Sequence, residues 1–187
     1  MRKLVVYELL SFDGVAEDPS DFFGWDDVLD ANLAAVIAEQ DAVVLGRRSY
    51  DEWAPYWPDS TIEPFATFIN EVPKFVATST PLVPAWSNAT AVDGELAEFV
   101  RALKDEAGGA IGVHASISVA RTLLGAGLVD ELRLVVAPVI AGRGRRLLEG
   151  VPAARLELIR STVSPTGHHV VDHRVVGSVG REGGATS

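Results

Sequence analysis

The segment AVVLGRRSY, residues 42–50, changes character at its glycine. AVVLG is apolar without alternation, the mark of a strand buried on both faces in a parallel sheet. Beyond Gly46, RRSYDEW opens a helix that Pro55 and Pro58 terminate. Such units recur outward in both directions. Upstream lie a strand over 4–10 (LVVYELL), a long polar loop over 11–24, and a helix over 25–39 with Val28, Leu29, Leu33, Val36 and Ile37 on one face. Downstream, the pattern predicts a short helix at 61–70, a strand at 74–80, a weak edge strand at 89–92 and a helix at 94–107. A strand entering at Ala110 turns through residues 114–116 into a helix that ends in glycines, and a strand follows over 131–141. Two last strands, about 155–163 and 168–176, flank Ser164-Pro165-Thr166-Gly167. The prediction is an α/β fold: a mostly parallel sheet with helices on both faces and an antiparallel hairpin at one edge.

The chain has 187 residues, 48% of them apolar and 22% charged, which fits one domain over residues 1–176. Residues 177–187 are rich in glycine and read as a disordered tail. A formal charge of −10 repels phosphodiester backbones and argues against a nucleic-acid partner. Cysteine is absent, which excludes disulfide frameworks, thiolate nucleophiles and cysteine-bound zinc. Glu8 and Asp13 interrupt the opening apolar run, so it does not read as a secretory leader. No stretch approaches the roughly 20 apolar residues that span a bilayer, and a cytoplasmic protein is expected.

Ligands of open α/β sheets gather beyond the carboxyl ends of the strands, against helix N-termini. At Gly46, two guanidinium groups, Arg47 and Arg48, meet a positive helix end, and Ser49 adds a hydroxyl. These compose an anion site, or else a solvated helix start whose arginines pair with Asp51 and Glu52. Thr78, Ser79 and Thr80 offer hydroxyls to a phosphate or ribose, or cap a turn. After His114 and Ala115, Ser116 reads as an N-cap whose neighbouring N–H groups suit a pyrophosphate. Arg143, Arg145 and Arg146 form the densest positive patch, suited to a phosphorylated substrate or simply an exposed turn. Asp26 and Asp30 lie one helical turn apart, Asp27 beside them and Asp13 at the mouth of the first loop. One of them, partly buried, would serve as a proton donor; alternatively they are an acidic first turn favoured by the macrodipole. His169 and His173 share a strand face without an evident third ligand, so no metal site is expected. Dinucleotide, phosphate-loop and serine-elbow signatures are missing.

Taken in order, S-x-D-G at 11–14, LGRRSYDEWAPYWP at 45–58, PKFVATST at 73–80 and GLVDELRLVVAPVIAGRGRRLLEG at 127–150 resemble the dihydrofolate reductase-like superfamily. The nearest branch is the reductase domain of bacterial riboflavin biosynthesis, and the resemblance runs over about residues 2–176. It implies a three-layer fold on an eight-stranded sheet with a reversed last strand, NADPH as hydride donor, and a homodimer. Mapped onto this chain, it implies a cofactor site at Asp13, Gly14, Gly46, Arg47, Arg48 and Ser49, with Thr78, Ser79 and Thr80 beside the adenosine. His114, Ala115 and Ser116 take the place of a turn that usually carries a glycine pair, so Ala115 is a departure that crowds the backbone. Counting back from Gly46, the acid of the folate enzymes falls on Asp30, with Asp26 one turn earlier. Arg143, Arg145 and Arg146 would take a substrate phosphate. Trp25 and Trp53 are expected near the cleft. The resulting expectation is an NADPH-dependent reductase of a small pyrimidine- or pterin-like molecule, such as a phosphoribosylaminouracil. The alternative is a ligand-binding or regulatory protein on the same fold without turnover.

Overall fold

Strands β1 (Leu4–Leu10), β2 (Gln40–Gly46), β3 (Lys74–Ala77), β4 (Ala89–Val92), β5 (Ala110–His114), β6 (Glu131–Val136), β7 (Ala154–Val163) and β8 (His169–Ser178) build one sheet in a computed structural model describing residues 1–178. The α-helices are α1 (Asp27–Ile37), α2 (Arg47–Trp53), α3 (Phe65–Glu71), α4 (Leu96–Asp105) and α5 (Ile117–Gly125). The strand order is β4-β3-β2-β5-β1-β6-β8-β7. Every neighbouring pair is parallel except β6–β8 and β8–β7, so β8 alone runs against the rest.

Side chains of a strand alternate between faces, and β2 shows how this yields two cores. Ala42 and Val44 pack with Leu4, Val6 and Ile111 under Val100, Leu103, Val119 and Leu123 of α4 and α5. Val43 and Leu45 point the other way, toward Leu29, Leu33 and Val36 of α1 and Phe65 and Ile69 of α3. Each such branched side chain contributes roughly 1.5–3 kcal/mol relative to exposure. The sheet is thus the middle of three layers.

Boundaries moved for local reasons. Helix α1 starts at Asp27 because Asp26 is its cap, accepting from the N–H groups of Val28 and Leu29 at 3.0 Å. Strand β6, expected to reach Ala141, stops at Val136, just before Pro138, which has no N–H for a ladder. Gly177 and Ser178, expected in the tail, extend β8; residues 179–187 lie outside the described residues.

Two lysines are buried. Lys74 donates to the carbonyls of Ile69 (2.8 Å) and Val72 (2.9 Å) at the end of α3, beneath the Trp86 ring, and burial lowers its pKa to about 8. Lys104 donates to the Leu128 carbonyl at 2.8 Å and pairs with Asp130. At the far edge β7 is exposed along its whole length, Leu158 retaining 62% of its surface.

Candidate active site

The carboxyl ends of β1, β2 and β5 open into a cleft of about 1190 Å³, larger than the roughly 300–1,000 Å³ of single-ligand sites. The cleft straddles the sheet edge and has two unlike sides. The α5 side carries Ala16, Ala77, Ser116, Ser118, Thr122 and Arg145. The α1/α3 side carries Phe23, Trp25, Asp30, Trp53, Trp57 and Phe65. Trp25 and Trp53 are therefore where the sequence placed them.

A chain of hydroxyls ties the start of α2 to the β5–α5 turn. The Gly46 N–H donates to Ser116 Oγ (3.0 Å), Ser116 Oγ to Ser49 Oγ (2.9 Å), and Ser49 Oγ to the Ala115 carbonyl (2.7 Å). This corrects two expectations. Ser49 is a buried strut, its hydroxyl donated within the chain. Ser116 stands at the N-cap position, but its hydroxyl caps nothing, so the first turn of α5 has no side-chain cap. Ala115 sits in the left-handed region at φ 47°, the backbone conformation its departure from glycine made costly.

Both helix-start arginines line the cleft, and both also make the pairs foreseen as the alternative. Arg47 Nε donates to Asp51 at 2.7 Å, while its Nη1 reaches Thr80 Oγ1 and the Pro81 carbonyl (3.0 Å). Arg48 bridges Glu52 (3.0 Å) and Glu17 (2.7 Å). Exposed i,i+4 pairs of this kind are worth little and yield readily to a stronger anion. Thr78 and Ser79 line a small cavity of about 170 Å³ that shares Ala77 and Leu96 with the main cleft.

The carboxyl groups separate by surroundings. Asp30 is exposed on α1 and lines the cleft. Asp26 does not line it: besides capping α1, it accepts from the Thr166 hydroxyl (2.6 Å), and these bonds hold it well below the usual carboxylate range. An ionised cap cannot act as the acid, so the alternative placed on Asp26 is withdrawn. Asp13 likewise lies outside the lining. It accepts from Ser11 Oγ (2.7 Å) and the N–H groups of Ala141 (2.9 Å) and Gly142 (3.0 Å), which lower its pKa to about 2. Gly14 turns this loop at φ 83° and its carbonyl accepts from the Leu147 N–H; its place is structural.

The arginine patch disperses. Arg146 donates to the carbonyl of Asp13 and pairs with its carboxylate (3.3 Å), Arg143 is exposed outside the cleft, and only Arg145 lines it. Arg145 donates to Ser118 Oγ (2.8 Å) on the first turn of α5, on the opposite side from the aromatic wall.

Glu8 was missed by the sequence reasoning. It is buried, lines the cleft, and accepts from the Ser116 N–H at 3.0 Å; burial raises its pKa to about 8. A carboxylate inside the apolar run LVVYELL was the available signal. His114 is equally buried, its ring 2.8 Å from Gln40 Oε1, and burial lowers its pKa to about 3, leaving it neutral.

A parallel sheet between helix layers, one reversed strand near its edge and a cleft over its carboxyl ends make a three-layer fold of the dihydrofolate reductase-like class. The chain belongs to the RibD C-terminal domain family, whose model matches residues 2–170. It is 26% identical to the uncharacterized protein YyaP of Bacillus subtilis, over 78% of this chain and 80% of that one. Among solved structures it resembles a putative riboflavin biosynthesis protein from Shewanella sp. PV-4, at TM-score 0.72 and 19% identity over 93% of this chain and 99% of that one. It also resembles a deaminase/5-amino-6-(5-phosphoribosylamino)uracil reductase from Thermotoga maritima, at TM-score 0.69 and 14% identity, covering 94% of this chain and 57% of that one.

Proposed function

We propose that this chain is an NADPH-dependent reductase acting on a small pyrimidine- or pterin-like ring, and that it works in the cytoplasm. One observation carries the reading. Arg47 and Arg48 stand beside an α5 N-terminus whose first turn no side chain caps, on one side of a cleft large enough for two ligands. That donor set fits a dinucleotide: guanidinium groups for a 2′-phosphate, free N–H groups for a pyrophosphate, and the Thr78–Ser79 cavity for the adenosine end. Asp13, Gly14 and the hydroxyl of Ser49 support this site from behind and do not touch the ligand.

When bound, NADPH supplies a hydride; the overall change is C=N plus NADPH plus H⁺ giving CH–NH plus NADP⁺. The chain supplies position, exclusion of water and the proton. The aromatic wall closes one side, and Asp30, exposed to the cleft, delivers the proton to the substrate nitrogen. Glu8 holds the Ser116 N–H and, uncharged at neutral pH, spares the cofactor's phosphates a buried anion. A homodimer goes with this reading, formed through β7, where Leu156, Leu158, Ile159 and Val163 lie exposed on an uncovered edge. A Leu158→Glu variant is expected to sediment as a monomer; an unchanged sedimentation coefficient removes that interface.

The alternative, a binding protein without turnover, draws on Ala115, whose Cβ stands at the turn beside the pyrophosphate position. NADPH titrated against tryptophan emission tests the reading, since Trp25, Trp53 and Trp57 all line the cleft. Saturable quenching followed by substrate-dependent NADPH oxidation supports a reductase, and quenching with no oxidation across pterins and aminopyrimidines favours the binding protein. No response in emission or melting temperature refutes both.

A further inference from the structure

We propose that the second compartment of the cleft takes an unphosphorylated planar nitrogen heterocycle, neutral or cationic, and rejects the sugar phosphate that the arginine patch led the sequence to expect. The reduction itself rests on the reading above, whereas the binding preference stands on the compartment's own walls.

Among the described residues, Arg47, Arg48 and Arg145 are the basic side chains lining the cleft. Arg47 extends toward Thr80 and Pro81, and Arg145 donates to Ser118 at the start of α5; both serve the side assigned to the dinucleotide. Arg48 is divided between Glu17 and Glu52. Arg146 is held by Asp13, and Arg143 is exposed and not among the lining residues. The charged groups on the aromatic side are Asp30 and Glu63, with Glu52 at its border. A phosphate monoester seated there would meet Asp30 and Glu63, with Arg48 the one guanidinium at the border and already shared between Glu17 and Glu52, a balance of charge that disfavours a phosphate.

The apolar walls describe the shape. Phe23 and Trp25 stand edge to face, ring centres 5.5 Å apart, on the loop before α1. Trp53, Trp57 and Phe65 form a second group, with Trp53 5.8 Å from Trp57 and Trp57 4.8 Å from Phe65. Rings braced this way offer flat faces to a flat ligand, and their π-faces favour a positive charge. Behind the rings, the Tyr7 hydroxyl and the Trp57 indole N–H are buried with no protein partner among the described residues. Burial raises the Tyr7 hydroxyl far above its ordinary pKa, so it keeps its proton. A heterocycle with an N–H or protonated nitrogen on one edge satisfies Asp30 while its flat faces lie against the rings.

The test compares matched ligands differing only by a phosphate: neopterin with neopterin monophosphate, riboflavin with its 5′-phosphate, and thiamine with thiamine monophosphate. Affinities are measured by calorimetry on the full chain, with and without NADPH. The expected result is binding of at least one unphosphorylated member, with its phosphate ester at least about tenfold weaker, and a ratio that shrinks toward one in Asp30→Asn. Equal or tighter binding of the phosphorylated member in any pair, or no binding across all three pairs, overturns the proposal. NADPH affinity is read separately on the same protein. Its absence with the discrimination intact defeats the reductase reading alone, and the converse defeats this inference alone.

Discussion

The buried carboxyl of Glu8 makes stability depend on pH in an unusual direction. In the folded chain its pKa is about 8, against an ordinary value of 4.5, because burial disfavours the charged form more than the Ser116 N–H relieves it. Between those limits the folded state keeps a proton that the unfolded state gives up, so stability falls as pH rises, by about 1.4 kcal/mol per unit. His114 has the opposite sign: its folded pKa of about 3 lies below an ordinary 6.5, and stability rises with pH across that interval. His168, also lowered by burial, adds to the same rise. Glu8 and the histidines therefore oppose one another from 4.5 to about 7, and between 6.5 and 8 Glu8 by itself removes roughly 1.5 kcal/mol, part of which the last protons on the unfolded histidines offset. Lys74, lowered to about 8, is half deprotonated in the folded chain at the top of that window and offsets roughly 0.4 kcal/mol of the loss. Urea denaturation at pH 5.0, 6.5 and 8.0 should show the wild type losing roughly 0.5–1 kcal/mol over the last step. Glu8→Gln, which keeps an acceptor for Ser116, should show no such loss. A wild type as stable at pH 8.0 as at 6.5, or a variant with the same descent, would refute the assignment.

Other perturbations read other parts of the site. Replacing Arg47 and Arg48 by alanine should weaken NADPH by about 10- to 100-fold in calorimetry and NADH far less, because only NADPH carries the extra phosphate; equal losses contradict the assignment. Asp26→Ala should cost about 1 kcal/mol of stability in denaturant titrations and spare turnover, whereas Asp30→Asn should spare stability and lower kcat by about 100-fold or more. A methyl group added at Gly112 would lie 2.1 Å from Gln40 Oε1 and 2.9 Å from His114 Nε2. Gly112→Ala should therefore break that buried pair and cost about 2–3 kcal/mol, seen as a lowered melting temperature.

The sheet was legible because its strands are short apolar runs set off by glycine and proline, and parallel burial leaves no other pattern for segments such as AVVLG. Even the weak strand at Ala89–Val92 stood out by composition. The site was legible only where one junction carries its own chemistry, as at Gly46-Arg47-Arg48. Roles that depend on distant partners were hidden. Asp26 is spent on Thr166, Asp13 on Ala141 and Gly142, and Ser49 on Ala115, all remote in sequence. Density along the chain also misled at Arg143–Arg146, since neighbours in a turn point in different directions and only Arg145 faces the cleft. Glu8 was read as an interruption of an apolar run, although a charge at a buried strand position marks a group held for a reason.

The chain's lysines are Lys3, Lys74 and Lys104, and the last two are sealed inside the fold. Of the three, amine-directed acylating reagents should therefore modify Lys3 alone in the native fold. That attachment point lies at the start of β1, at the opposite end of the sheet from the cleft. Tethering to a sensor surface through Lys3 would hold every molecule in nearly the same orientation, with the mouth of the cleft turned outward. Acylation of Lys74 would in turn report the moment a molecule opens.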